Sequence, residues 1–299
     1  MTKETIGFVG LGHMGSHMAG HLADAGHDVL AYDIDPERTR AFADKHGTEA
    51  PSALQDLARA NVIMTSVPTG DVVREVITGG GNASLANRLP KGALVIDTTS
   101  SIPQGTIELG EMLAERGISL IDAPVSGGMA GARDANLVFM VGCTDDEAFA
   151  RAEPIFKVLG PHAFRVGPCG SGHIMKTLNN FISGTHVIAC AEALIVGQQY
   201  GLDPKVMTEV VNLSTGRGHA SENSMPHMAT GDYSGTFSLK LFTKDLKIAA
   251  DIADAKRVKT PLMHDSFKRM NEALHAPGAL PDGDHAHAYE FWKTEIGKA

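Results

Sequence analysis

Cysteine is scarce in this 299-residue chain: Cys143, Cys169 and Cys190 are the only three, and none stands at a paired or metal-like spacing. A disulfide framework is therefore excluded as an organising device, and a reduced, cytoplasmic setting is expected. Positive charge is also short, with 26 Lys and Arg against 35 Asp and Glu and a formal net charge of −9. That balance argues against a nucleic-acid partner and makes recognition of any anion depend on locally placed donors. No apolar leader is seen, because Met1-Thr2-Lys3-Glu4 runs straight into strand-like sequence, so no secretion signal is expected. Long apolar runs are missing too. The longest charge-free apolar region, Thr177 to Ala191, is interrupted by Asn179, Asn180 and His186 and reads as too short to span a bilayer. With 43% hydrophobic and 20% charged residues and no internal repeat, the chain has the composition of a globular protein large enough for two domains.

What is present begins with Gly10-Leu11-Gly12-His13-Met14-Gly15, which follows the apolar segment Ile6-Gly7-Phe8-Val9 and opens an amphipathic run through Met18, Leu22 and Ala25. In that context a G-x-G-x-x-G segment signals dinucleotide binding. Gly10 permits the tight turn, Gly12 lets a pyrophosphate approach bare backbone, and Gly15 lets the helix pack close to the strand. The helix N-terminus then presents unpaired N–H groups and a positive dipole end to the phosphates. Asp33 ends a second apolar run, Val29-Leu30-Ala31-Tyr32, where a carboxylate accepts hydrogen bonds from ribose hydroxyls and repels a 2′-phosphate. NAD is favoured over NADP on this reading, with Arg38 close enough to soften the preference.

The first half alternates strand-like and helix-like segments, the pattern of a doubly wound α/β sheet. Val62 to Val67, Leu94 to Asp97 and Ile118 to Ile121 read as buried parallel strands, and Leu137 to Val141 and Ala163 to Val166 as further strands flanking a helix from about Asp145. The loops at the strand ends carry Pro68-Thr69-Gly70, Thr98 to Ser101 and Pro124 to Gly128. Beyond Gly167 the strand pattern stops. Gly170-Ser171-Gly172 opens a helix apolar on most of its circumference, expected to be buried and to end at Gly201. Further helices are expected near Pro204, Leu239 and Pro261, with a loop from Ala276 to Asp284. The expected division is an α/β Rossmann domain over 1–167, binding NAD, and an all-helical domain over 168–299 for substrate and oligomerisation.

Lys176 and Asn180 are four apart and project from one face of that central helix. A lysine so near the start of a buried helix borders a cavity, where desolvation and a cationic neighbour such as Lys244 would lower its pKa into the range for proton transfer. The alternative is a lysine whose stem lies on apolar surface while its head reaches water. Ser126-Gly127-Gly128 offers consecutive backbone N–H groups and one hydroxyl, a concavity suited to a carboxylate. A turn that merely needs glycine is the alternative there. His13, His17 and His21 share one face of the first helix at i, i+4 spacing, but no carboxylate or cysteine accompanies them, and no metal site is expected.

Taken in order, Gly10-Leu11-Gly12-x-Met14-Gly15, Asp122-Ala123-Pro124-Val125-Ser126-Gly127-Gly128, Gly170-x-Gly172-x-x-x-Lys176-x-x-Asn179-Asn180 and Lys244-Asp245-Leu246 closely resemble the β-hydroxyacid dehydrogenase family across almost the whole chain. The resemblance implies a Rossmann domain, a helical C-terminal domain and Lys176 as catalytic residue. It implies substrate contacts at Ser126, Gly127, Gly128, Asn180, Phe237 and Asp245. Cofactor contacts are implied at Gly10, Leu11, Gly12, His13, Met14, Gly15, Asp33, Val67, Pro68, Ser100 and Lys244. The expected activity is reversible hydride transfer between NAD and a small 3-hydroxy acid, 3-hydroxyisobutyrate-like, in a homodimer or homotetramer. Two departures bear on the distal end of the acid: Ala135-Asn136 replaces a usual Gly-Thr, and Gly283-Asp284-His285-Ala286 lacks a usual serine. Arg217 or His219 is a candidate for that end. A reductase of another small anionic aldehyde or imine, and a catalytically silent NAD-binding protein, remain as rival readings.

Overall fold

The structure is a computed structural model and describes residues 4–234 and 237–296. The chain forms two compact units, Met1–Lys176 and Thr177–Ala299.

The first unit is built on a sheet of β1 (Thr5–Val9), β2 (Asp28–Tyr32), β3 (Val62–Thr65), β4 (Leu94–Asp97), β5 (Ser119–Asp122), β6 (Val125–Ser126), β7 (Val138–Gly142) and β8 (His162–Gly167). The order runs β2-β1-β3-β4-β5-β7-β6, with β8 also pairing β7. The five strands from β2 to β5 are parallel, as their continuous apolar sequences require: such strands are buried on both faces. Alternate residues feed two cores. Ile6, Phe8, Val29, Ala31, Val62, Met64, Leu94, Ile96 and Ile121 pack on one face, and Val9, Leu30, Ile63, Val95 and Leu120 on the other. The antiparallel pairing of β7 with β5 and with the two-residue β6 has no trace in the hydrophobic pattern. A segment so short shows no periodicity to read.

Helix boundaries follow local chemistry. Asp35 caps the helix Pro36–His46 through the N–H of Glu37 at 2.9 Å, Pro36 occupies its first turn, and Gly47 ends it at φ +65°. Asp145 caps Asp146–Leu159 by accepting from Glu147 and Ala148. The first helix is Gly15–Asp24, so His13 precedes it rather than sharing its face with His17 and His21.

The helix Ser171–Gln199 runs from the first unit into the second. One expectation about it, that it is buried on most of its circumference, is corrected. Its 29 residues end at Gln199, near the expected stop at Gly201. An 18-residue window within it has mean hydropathy 1.3, so by length and composition alone it is long and apolar enough to cross a membrane, although the charge-free stretch Thr177 to Ala191 is shorter. It is also not buried all round: half of that apolar window is buried, while Ile182 and Val196 are exposed. A helix buried on one side and apolar on the other suits a protein core with a second apolar contact.

The second unit is helical, with Pro204–Asn212, His219–Asn223, Met225–Thr230, Leu239–Ala255, Pro261–Leu274 and Ala288–Ile296 following the long helix. Its core gathers Leu194, Leu246, Met270, Tyr289 and the sole tryptophan, Trp292. Trp292 donates its indole N–H to the carbonyl of Arg269 at 3.3 Å, so its burial leaves no polar atom unpaired.

One glycine tests how the first unit holds the long helix. A Cβ on Gly172 would stand 2.2 Å from the carbonyl oxygen of Met140 and 2.7 Å from that of Asp122. Alanine is the better helix former by about 1 kcal/mol, yet neither backbone contact can yield. Gly172→Ala is therefore expected to lower stability by about 2–3 kcal/mol, seen as a fall in the thermal unfolding midpoint. A raised midpoint would show that propensity outweighs the contact.

Candidate active site

The sheet reverses direction of winding at β1, with β2 on one side and β3 on the other, and ligands bind beyond the strand carboxyl ends at such a point. The glycine loop lies there. Gly10 has φ +99°, and a Cβ on it would stand 2.2 Å from the carbonyl oxygen of Ser66; one on Gly15 would stand 1.9 Å from that of Gly10. Both are packing glycines. Gly12 differs, because a Cβ there would meet nothing within 4 Å. Open space over bare backbone, beside a helix with no acidic residue in its first turn, fits a pyrophosphate.

Asp33 is buried, accepting from the N–H of Leu11 at 2.7 Å and of Asp35 at 2.9 Å. These bonds fix the carboxylate and leave lone pairs for ribose hydroxyls. Arg38 reaches within 4.0 Å of Asp33 and 3.5 Å of Asp35 with a half-exposed side chain, so its charge is already balanced by two carboxylates.

Val67 and Pro68 follow β3, and Ser100 follows β4. Their loops are held by Asp97, which the sequence reading treated only as a strand end. Asp97 is buried and accepts from Thr65 Oγ1 and Thr99 N–H, each at 2.9 Å, and from Ser101 Oγ at 3.4 Å. Thr99 in turn accepts the N–H of Val67 through Oγ1 at 3.2 Å. A charged residue closing a wholly apolar strand was the available signal.

Asp122 does the same for the helix that carries Lys176. Fully buried at the end of β5, it accepts the N–H of Gly170 at 2.7 Å and of His173 at 2.9 Å. Burial pushes its pKa up; the neighbouring His173 and these N–H bonds pull it back. Lys176 is half-buried on the same helix. Asn180, one turn further and buried, donates Nδ2 to Asp245 at 2.6 Å and accepts from Asn179 at 3.2 Å. Lys244 Nζ lies 3.4 Å from the other oxygen of Asp245. Asn180 and Asp245, both expected at the substrate, thus bond to each other, leaving one Asn180 N–H for a ligand.

In the Ser126 loop, Gly127 at φ +128° and Gly128 at φ +60° hold conformations that disfavour side chains, and both are exposed. Ala135 has φ +51°, so the departure from glycine there keeps the left-handed turn with an alanine. The second departure also has a structural use. His285 donates its backbone N–H to Phe237 O at 3.0 Å, with its Nδ1 3.1 Å from the same oxygen, and its ring packs on Phe242. Phe237 is thereby fixed by a residue not previously singled out for it. Arg217 pairs with Glu222 at 2.8 Å on the surface, and His219 is exposed. His21 Nε2 sits 3.1 and 2.9 Å from the carbonyl oxygens of Ala132 and Arg133, and no metal-holding group of three occurs among the described residues.

The glycines separate cofactor contact from packing. Gly12→Ala is expected to fold normally and weaken NADH binding by about tenfold, since one methyl displaces a phosphate contact worth about 1–2 kcal/mol. Gly10→Ala is expected to cost folding itself, read by circular dichroism. Equal NADH affinity in Gly12→Ala and wild type, by fluorescence titration, would place the pyrophosphate elsewhere.

Comparison with known proteins agrees with this geometry. Residues 5–167 match the family described as the NAD binding domain of 6-phosphogluconate dehydrogenase, and residues 170–292 match the NAD-binding family of NADP-dependent 3-hydroxyisobutyrate dehydrogenase. A 3-hydroxyisobutyrate dehydrogenase of Pseudomonas aeruginosa is 36% identical over 94% of this chain and 94% of its own. A 2-(hydroxymethyl)glutarate dehydrogenase of Eubacterium barkeri is 36% identical over 86% of this chain and 85% of its own. The solved structure of Mycobacterium tuberculosis 3-hydroxyisobutyrate dehydrogenase with L-serine superposes at TM-score 0.87 with 29% identity, covering 97% and 99% of the two chains. The chain belongs to the β-hydroxyacid dehydrogenase family and is an NAD-dependent oxidoreductase of that family.

Proposed function

We propose that this protein interconverts a small 3-hydroxy acid of the 3-hydroxyisobutyrate type and its semialdehyde, with Lys176 as general acid and base. The observation that supports it best is a half-buried lysine set just inside a helix whose N-terminus is clamped by Asp122, with the buried Asn180 one turn on. Bound NAD supplies the hydride acceptor in oxidation and donor in reduction. Ser126 and the exposed amides of Gly127 and Gly128 receive the substrate carboxylate, and the family resemblance assigns Asn180 to the substrate as well. Neutral Lys176 accepts the proton of the reacting hydroxyl; in the reverse direction its ammonium donates that proton and stabilises the developing alkoxide. By the family resemblance, Phe237 and Asp245 are assigned to the substrate, and Val67, Pro68, Ser100 and Lys244 to the cofactor. The buried carboxylate of Asp33 favours NAD over NADP. The three free cysteines, two of them buried, accord with a cytoplasmic setting.

A second copy of the chain is the proposed partner. The helix Pro204–Asn212 buries only Thr208 while Val206 and Val210 are each more than half exposed, and Leu213 beyond it is 90% exposed. An apolar stripe turned outward at i, i+4 spacing is suited to covering by an identical surface.

Two experiments test these readings. Lys176→Ala is expected to keep NADH binding and lose turnover by about 10²–10⁴-fold, assayed with 3-hydroxyisobutyrate, glycerate, 3-hydroxypropionate, threonate and a sulfonated analogue, with NAD and NADP in parallel. Near-normal turnover in the variant would sink the lysine role, and a wild type that binds NADH tightly but turns over none of the panel would favour the silent reading. The double variant Val206→Glu/Val210→Glu is expected to shift the mass measured by light scattering toward the monomer. An unchanged mass would move the interface elsewhere.

A further inference from the structure

We propose that His173 is a positioning residue that registers Lys176 against the two cofactor loops, through a buried hydrogen-bond chain running Val67–Thr99–His173. The proposal rests on the reading of Lys176 as acid and base. His173 is 1% exposed and lies between two buried carboxylates. Its ring nitrogens are each 3.7 Å from one of them, Nε2 from Asp97 and Nδ1 from Asp122, which is beyond hydrogen-bond range. The ring instead bonds elsewhere. Nε2 lies 2.8 Å from the carbonyl oxygen of Thr99, and Nδ1 lies 2.9 Å from Thr106 Oγ1. A carbonyl only accepts, so Nε2 carries a proton toward Thr99, and Nδ1 is paired with the hydroxyl of Thr106, which leaves neither ring nitrogen without a partner.

Helix capping does not require this ring. The bond to Asp122 uses the backbone N–H of residue 173, which any residue except proline would supply. The side chain therefore serves a separate purpose, and its partners show which. Thr99 O sits in the loop that continues to Ser100, and Thr99 Oγ1 holds the N–H of Val67. Both loops are those assigned to the cofactor. Lys176 follows His173 by three residues, on the same side of the helix. Asp122 fixes where the helix begins, but a cap at the axis leaves rotation about the axis weakly restrained; a ring reaching sideways to the β4 loop restrains it. A rotation that moved the lysine head by 1 Å would matter, since such a misplacement costs about 10²-fold in rate.

The test uses the full-length protein, with wild type, His173→Leu, His173→Gln, Thr106→Val and Lys176→Ala compared for NADH affinity, kcat, KM and the pH profile of kcat. Rates are expressed per NADH-binding site, so that partial unfolding does not count. His173→Leu is expected to lose about 30–100-fold in kcat with NADH affinity within threefold. His173→Gln, which keeps a donor toward Thr99, is expected to recover most of that loss, and Thr106→Val to show a smaller fall. A role confined to stability predicts unchanged kcat per site in every folded variant. Turnover of His173→Leu within twofold of wild type, beside an inactive Lys176→Ala, overturns the proposal. If His173→Leu does not fold, Thr106→Val decides, and an unchanged kcat there is equally negative. An active Lys176→Ala instead overturns the lysine assignment and leaves His173 without the residue it is said to position.

Discussion

The carboxylate of Asp122 is taken wholly out of water and given two backbone N–H groups at the start of the long helix in exchange, those of Gly170 and His173. One side chain thus satisfies two of the four donors that a helix N-terminus leaves unpaired. The negative charge also sits at the positive end of the helix dipole, which offsets part of the cost of burial. The close fit of Gly172 against the backbone of Met140 and Asp122, and of Gly142 against the carboxylate itself, exists to let that approach happen. Without this interaction the helix carrying Lys176 would have no fixed origin relative to the sheet that carries the glycine loop.

A similar device recurs at Asp97, where the end of β4 is turned into a hub for the loops after β3 and β4. Asp33 is the third member of the set, joining the end of β2 to the glycine loop through the N–H of Leu11. Each of three parallel strands ends in a buried carboxylate that organises backbone rather than touching a reacting group. Parallel sheets bring strand ends together on one edge, and acceptors there convert loose loops into fixed ones where ligands of such sheets bind.

Much of this was legible in advance. The strands β1 to β5 announced themselves as continuous apolar runs, and the helices at Pro36, Asp146, Pro204, Leu239 and Pro261 by their caps and prolines. The packing roles of Gly10 and Gly15 were readable because each glycine answers a different local demand. Other features were hidden for identifiable reasons. The strand β6 is too short to show a period, and the antiparallel direction of β7 depends on pairing across the sheet. Asn180 and Asp245 were each singled out, but their mutual bond joins residues far apart in sequence. The contacts of His285 with Phe237 and Phe242 were likewise hidden, because they join segments that are far apart in sequence.

The sequence alone determined the alternation of strands and helices, the dinucleotide loop and the family, because these depend on local spacing and on residue type at fixed offsets. Tertiary structure decided which acidic residues became buried anchors, where His173 directs its two ring nitrogens, and which apolar residues of the long helix and of Pro204–Asn212 face outward. Burial and hydrogen-bond partnership are properties of neighbours brought together from distant parts of the chain. No window of sequence contains them, and so the carboxylates that hold this fold in register become visible only once the strands are assembled.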